Sequence, residues 1–197
     1  NHAFGVGPAV PASVTTMPHF ITWARAHPAQ ATYGSPASGS IPHLIGVVLA
    51  QLTGAPLRHI PYRGSMQGLQ DLRGGQLAAM SSPVGAFLPH LASGQVRLLG
   101  IAKPTRASNY PDLPTVAETV PGFSSGGWFG FVAPAKVPKQ VITTLNREMN
   151  AALKQPDVRA KLESLGLDVW TESPEYLRDL MKSEYDKYGK VARDIKL

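Results

Sequence analysis

An α/β layer fold is predicted for this sequence from three observations. Short β-rich runs alternate with amphipathic stretches that carry helical spacing. Clusters of Gly, Pro and Ser punctuate the boundaries between them. Between residues 31 and 102 the patterns succeed one another as β-α-β-α-β-α-β with short loops, for which parallel strands joined by right-handed helical crossovers are the economical arrangement. A chain of 197 residues can bury one substantial core or two modest lobes.

The elements follow in order. Residues 17–27 read as a helix behind a Thr15-Thr16 cap, stopped by Pro28. Residues 31–34 read as a strand that runs into the loop Ser35-Pro36-Ala37-Ser38-Gly39-Ser40. Apolar Leu44, Val47, Val48 and Leu52 recur at helical spacing over 41–53, and Gly54 is a natural stop. A strand over 57–62 leads through Arg63-Gly64 to a helix capped by Ser65 and ended by Gly74-Gly75. A strand is expected at 77–80, a short helix at 84–92 and another strand at 96–102. Residues 103–127, rich in Pro, Ser and Gly, read as loop, and 128–132 as a buried strand. Val141, Ile142, Leu145, Met149, Ala152 and Leu153 then share one helical face, and Pro156 opens a second helix. A short strand is expected at 167–170. Ser173-Pro174 caps a last helix whose inner face is Leu177, Leu180, Met181, Tyr188 and Val191. This helical tail needs a sheet to lie on, and its own residues supply only one or two strands.

Composition narrows the function. Hydrophobic residues make up 43% and charged residues 16%, as in an ordinary globular protein. No run approaches the roughly 18 apolar residues of a membrane span. The N-terminal Asn1-His2-Ala3-Phe4 has neither a basic signal region nor an initiator Met, so no signal peptide is expected within this chain. There is no cysteine, which removes disulfide and thiolate chemistry without deciding the compartment. The net charge of +6 comes from scattered Lys and Arg with no basic stripe, so it supports a general preference for anions and no nucleic-acid partner.

Three segments carry candidate chemistry. The loop Gly34 to Ser40 joins a strand to a helix; its glycines let the backbone approach a ligand, and Ser40 can act as N-cap while neighbouring N–H groups point outward. Such a helix N-terminus binds carboxylate or phosphate, and in an open α/β sheet ligands gather at this edge. The competing reading is a tight Gly/Ser turn with an ordinary cap. Pro61-Tyr62-Arg63-Gly64 offers a hydroxyl and a cation, or simply a turn with an exposed Arg. Ser81 and Ser82, expected just beyond a strand, could face the same crevice. Trp128 and Phe129 read better as core aromatics than as ligand platforms. The six histidines show no metal-ligand spacing, and no metal or cofactor is expected. Ser40 with His43 suggests a Ser-dependent hydrolase, but residues three apart on one helix rarely pair as nucleophile and base, and no carboxylate lies nearby in sequence to orient the imidazole. The acidic residues Glu163, Glu172, Glu175, Asp179 and Glu184 read as solvated helix faces.

Several stretches together go beyond a generic α/β pattern. Tyr33-Gly34-Ser35-Pro36 with Gly39-Ser40-Ile41-Pro42-His43-Leu44 resembles the strand–loop–helix of the tripartite tricarboxylate transporter receptors, or Bug proteins. Ile60-Pro61-Tyr62-Arg63-Gly64, Leu113-Pro114-Thr115-Val116-Ala117-Glu118, Pro121-Gly122-Phe123 and Trp128-Phe129-Gly130 resemble further motifs of that family. The resemblance implies a type II periplasmic-binding-protein fold of two α/β lobes about a cleft. Residues 15–123 would form one complete lobe with a parallel-rich sheet flanked by helices. Residues 1–14 would be an entry segment or hinge, and 124–197 a crossover strand plus the helical part of an incomplete lobe. It further implies a periplasmic, non-enzymatic receptor for a small organic acid, held by Ser35, Gly39, Ser40, Tyr62, Ser81 and Ser82 and delivered to membrane transporter subunits. Family members often carry Asp where this sequence has Ser81-Ser82, which favours a plain carboxylate over an amino-bearing ligand. They also begin with a strand and a Pro-Gly-Gly loop that is absent here. A truncated, weakly binding chain is therefore expected, or one that borrows strands in a swapped dimer or other homo-oligomer. A protein-interaction module using its exposed helices is the remaining alternative.

Overall fold

The computed structural model describes residues 1–107 and 110–195. It divides into two compact units, Asn1–Gly127 and Trp128–Leu197. The first holds β1 (His2–Val6), α1 (Met17–Ala26), β2 (Thr32–Ser35), α2 (Ile41–Thr53), β3 (Arg58–Pro61), α3 (Ser65–Arg73), β4 (Ala79–Pro83), α4 (Val84–Leu91) and β5 (Arg97–Ile101).

The five strands form one sheet in the order β3-β2-β4-β1-β5. β2 is parallel to β3 and to β4, as the α/β pattern predicts. β1 is antiparallel to both β4 and β5 and separates them. Within residues 1–14, expected as an entry segment or hinge, His2–Val6 form an interior strand. Its pattern is hard to see because one face carries only Ala3 and Gly5. A Cβ on Gly5 would sit 3.1 Å from Leu98 and 3.2 Å from Phe87, and the register against β5 shifts at Phe4/Gly5.

Helices cover both faces of the sheet. On one, Phe4, Val6, Tyr33 and Ala79 pack with Phe20, Trp23 and Ala24 of α1 and Ile45 and Leu49 of α2. On the other, Ala3, Met80 and Ile101 pack with Leu69 and Leu72 of α3 and Val84 and Phe87 of α4. The approach of α2 is close: a Cβ on Gly46 would lie 2.0 Å from the Tyr33 ring.

Four local expectations need correction. Ser65 is the first residue of α3 and not its cap; Gly64 occupies the cap position at φ 101, with no side-chain cap bond. β4 runs to Pro83, so Ser81 and Ser82 are fully buried strand residues and not loop residues. Residues 128–132 form no strand, and Phe129, Phe131 and Val132 are 77%, 80% and 74% exposed. Residues 167–170 form no strand either. Both latter segments have strand-like composition, but no ladder partner exists for them among the described residues, and an isolated extended run has nothing to pair its backbone with.

The second unit contains α5 (Lys139–Leu153), α6 (Pro156–Ser164) and α7 (Pro174–Asp194). Ser173 caps α7 by accepting from the Tyr176 N–H. Among its described residues, Tyr188 is the one buried large apolar side chain. Among the described residues, no helix is long and apolar enough to cross a membrane.

Candidate functional site

The carboxyl edge of the parallel strands brings together the β2–α2 loop, the end of β3, the end of β4 and the start of β1. Ser40 has extended backbone geometry at the cap of α2, and its Oγ accepts from the His43 N–H at 3.4 Å while donating to the Ala37 carbonyl at 2.7 Å. Pro42 follows in the first turn, where its missing N–H costs nothing. Gly39 has φ 74, a left-handed conformation that favours glycine. Its N–H donates to His43 Nδ1 at 3.0 Å. The Ile41 N–H has no acceptor among the described residues, and it sits where the partial positive charge of the helix dipole is concentrated.

Beneath this turn lies a polar patch on the α2 face of the sheet. Ser35 Oγ donates to the Ala37 carbonyl at 3.0 Å and lies 2.8 Å from His59 Nε2. Because the hydroxyl proton is directed to Ala37, His59 supplies the donor, which assigns its proton to Nε2. His43 accepts at Nδ1, so it too is a neutral imidazole protonated at Nε2. The two rings stack at 3.8 Å between centroids. Burial, and then the neighbouring His43, hold His59 down to about 4; burial also lowers His43.

One residue beyond the Gly34–Met80 pair, Ser35 and Ser81 stand on adjacent strands and by alternation on the same face. Ser81 Oγ is fully buried and has no hydrogen-bond partner among the described residues. The same is true of His2 Nδ1 at the nearby end of β1. Burial, and secondarily the Asn1 α-amino group, lower the His2 pKa to about 4. Its ring packs so closely on the backbone that a Cβ on Gly127 would lie 2.3 Å from Cε1.

The other predicted site residues lie apart from this patch. Tyr62 contacts Gly34 on the opposite face and donates its hydroxyl to Asp71 Oδ2 at 2.8 Å. Burial, with that bond and charge, raises its pKa to about 12. Ser82 also faces that side, where its Oγ pairs with Ser65 Oγ at 2.8 Å, and Arg63 is exposed. The structure therefore groups Ser35, Gly39, Ser40 and Ser81, and separates Tyr62 and Ser82 from them. Sequence reasoning missed His59 and His2, and did not see that His43 serves Gly39. The i, i+4 spacing of Gly39 and His43 is the one local signal for the last of these.

The hydrolase geometry is not assembled. Ser40 Oγ meets the backbone of His43, and the imidazole Nδ1 is occupied by Gly39. A cavity of about 420 Å³ lies at the opposite, amino edge of the sheet, lined by Arg58, Gln30 and Gln76 among others, away from this patch.

Residues 3–197 match the family model described as the tripartite tricarboxylate transporter family receptor. The chain belongs to this receptor family. It is 35% identical over 176 residues to a protein from the tcbD-tcbE intergenic region of a Pseudomonas species, covering 88% of this chain and 52% of that one. It is 32% identical over 175 residues to BugT of Bordetella pertussis, covering 88% and 54%. Among solved structures, an R. palustris protein with adipate superposes at TM-score 0.87 with 30% identity, covering 98% of this chain and 64% of that one. MatC from Rhodopseudomonas palustris, with bound malate, gives TM-score 0.78 and 27% identity over 96% and 65%. The chain thus spans about half the length of these two curated relatives. The matched family is one of transporter receptors.

Proposed function

We propose that this chain is the ligand-holding part of a periplasmic receptor that binds a small organic carboxylate and passes it to a tripartite tricarboxylate-type membrane transporter. One observation carries the ligand class. At the carboxyl edge of the sheet, on the face that α2 covers, the first turn of α2 has an unpaired Ile41 N–H and β4 has a fully buried Ser81 hydroxyl without a partner among the described residues, and no acidic residue occurs in the loop or in that turn. A helix N-terminus with free donors suits an anion, and a buried orphan hydroxyl suits a ligand oxygen. The family relatives solved with adipate and malate support the same class. With the uncharged Ser81 where a counter-charge for an amine would be useful, a plain mono- or dicarboxylate fits better than an amino acid.

Ser35, Gly39, Ser40 and Ser81 line this proposed site. Tyr62 and Ser82 were expected as direct ligands; their bonds to Asp71 and Ser65 support an indirect role, anchoring the β3–α3 connection whose Tyr62 N–H donates to the Ser35 carbonyl at 2.9 Å. Equilibrium dialysis against adipate, malate and arginine tests the reading. Retention of the two dicarboxylates with no retention of arginine is expected, and the reverse order would overturn it. A serine-directed fluorophosphonate is expected to leave Ser40 unmodified.

A further inference from the structure

The paired imidazoles under the loop have a consequence for how an anion binds. His43 Nδ1 occupies the Gly39 N–H, one of the donors that the loop could offer to a ligand. A proton on Nδ1 would end that acceptance, release the Gly39 N–H, and place a positive charge in the first turn of α2. Without an anion this state is unfavourable, because the helix dipole and the stacked His59 ring both oppose it. With a carboxylate at the turn, the new charge pairs with the ligand.

We propose that His43 takes up one proton as the loop takes up a carboxylate, with His59 as the positioning residue that holds both the His43 ring and Ser35. The proposal rests on the carboxylate reading of the same site and adds to it the linkage between ligand and proton.

The groups around the pair leave this role to the ligand. On β2, Tyr33 donates its hydroxyl to the His43 carbonyl and Ser35 is hydroxylic. On β4, Ser81 is uncharged, and on β1 His2 is buried and neutral. On β3, the cation Arg58 precedes His59 and projects to the other face by alternation; Arg63 is exposed beyond the strand. Asp71 is held by Tyr62 across the sheet. The first turn of α2 contains no acid. Among the described residues of the first unit, these elements place no carboxylate of their own to stabilise a charged imidazole.

The sign follows from linkage. If the complex binds one more proton than the free protein, affinity rises as pH falls through the pKa of the complex and levels off below the lowered pKa of the free histidine. The gain is about tenfold for each unit by which the ligand raises that pKa.

The test is a histidine-ring NMR titration of the 197-residue chain with and without saturating adipate. His43→Asn and His59→Asn assign the two signals, and through-bond assignment of the native chain replaces either variant if it fails to fold. A rise of about one unit or more in the His43 pKa with adipate is expected. An unchanged His43 pKa, while the Gly39 and Ile41 amide signals shift with adipate, overturns this proposal and leaves the carboxylate reading standing. No shift of any signal with adipate overturns both.

Discussion

At the scale of single residues, Ser81 and His2 hold the buried side-chain polar atoms that are left unpaired among the described residues. A buried hydroxyl without a partner costs on the order of 1–3 kcal/mol. Ser81→Ala is therefore expected to raise the thermal midpoint of the ligand-free chain while weakening adipate binding by roughly tenfold, about 1.4 kcal/mol. A purely structural serine would show the opposite sign in the melting experiment. His2 and His59 set an acid limit. Each sits near 4 in the fold against about 6.5 in the unfolded chain, so the unfolded state binds more protons between those values. The stability they contribute is fully present above about pH 6.5 and is lost as pH falls towards 4. Buried His2 accounts for roughly 3 kcal/mol of this at most, and His59, more open to solvent, for less. Urea unfolding at a series of pH values checks it, and a flat profile from 4 to 6.5 would contradict it.

At the scale of elements, α2 is the piece on which the site depends. Its start is written into the sequence: Ser40 as cap, Pro42 in the first turn, Gly54 in the left-handed region at its end. All three are local signals, and the structure follows each of them. Its seating is not legible in the same way, because it depends on Gly46 meeting Tyr33, which lies thirteen positions earlier and on another element. Gly46→Ala, helpful to an isolated helix, is expected to destabilise this unit by about 1–3 kcal/mol in a denaturant titration, since the added Cβ overlaps the Tyr33 ring. An increase in stability would show that α2 is packed more loosely than described. The same contrast explains the misreadings. Residues 128–132 and 167–170 have strand composition, but whether such a run becomes a strand depends on a partner ladder, which composition does not encode. β1 has the partner and lacks the composition. The site was half legible for the same reason. The loop and its cap are contiguous, whereas His59, His2 and the face on which Tyr62 and Ser82 fall depend on strand register.

At the scale of the whole molecule, the second unit carries a large share of exposed apolar surface. Phe129, Phe131, Val141, Leu145, Trp170 and Tyr185 are all exposed, more than isolated surface hydrophobes require. Self-association is the expected outcome, and sedimentation over a range of concentrations should show mass rising with concentration; a strict monomer throughout would count against the swapped or oligomeric state. Binding by this chain is expected to be weaker than by a version extended to the length of the relatives it half covers. The central claim is that the N-terminal turn of α2 and the patch beneath it hold a small carboxylate. The most direct measurement is an amide chemical-shift map of the 197-residue chain during titration with adipate. The largest saturable shifts are predicted at Ser35, Gly39, Ile41 and Ser81, and shifts confined to the helices of residues 139–194, or none at all, would contradict it.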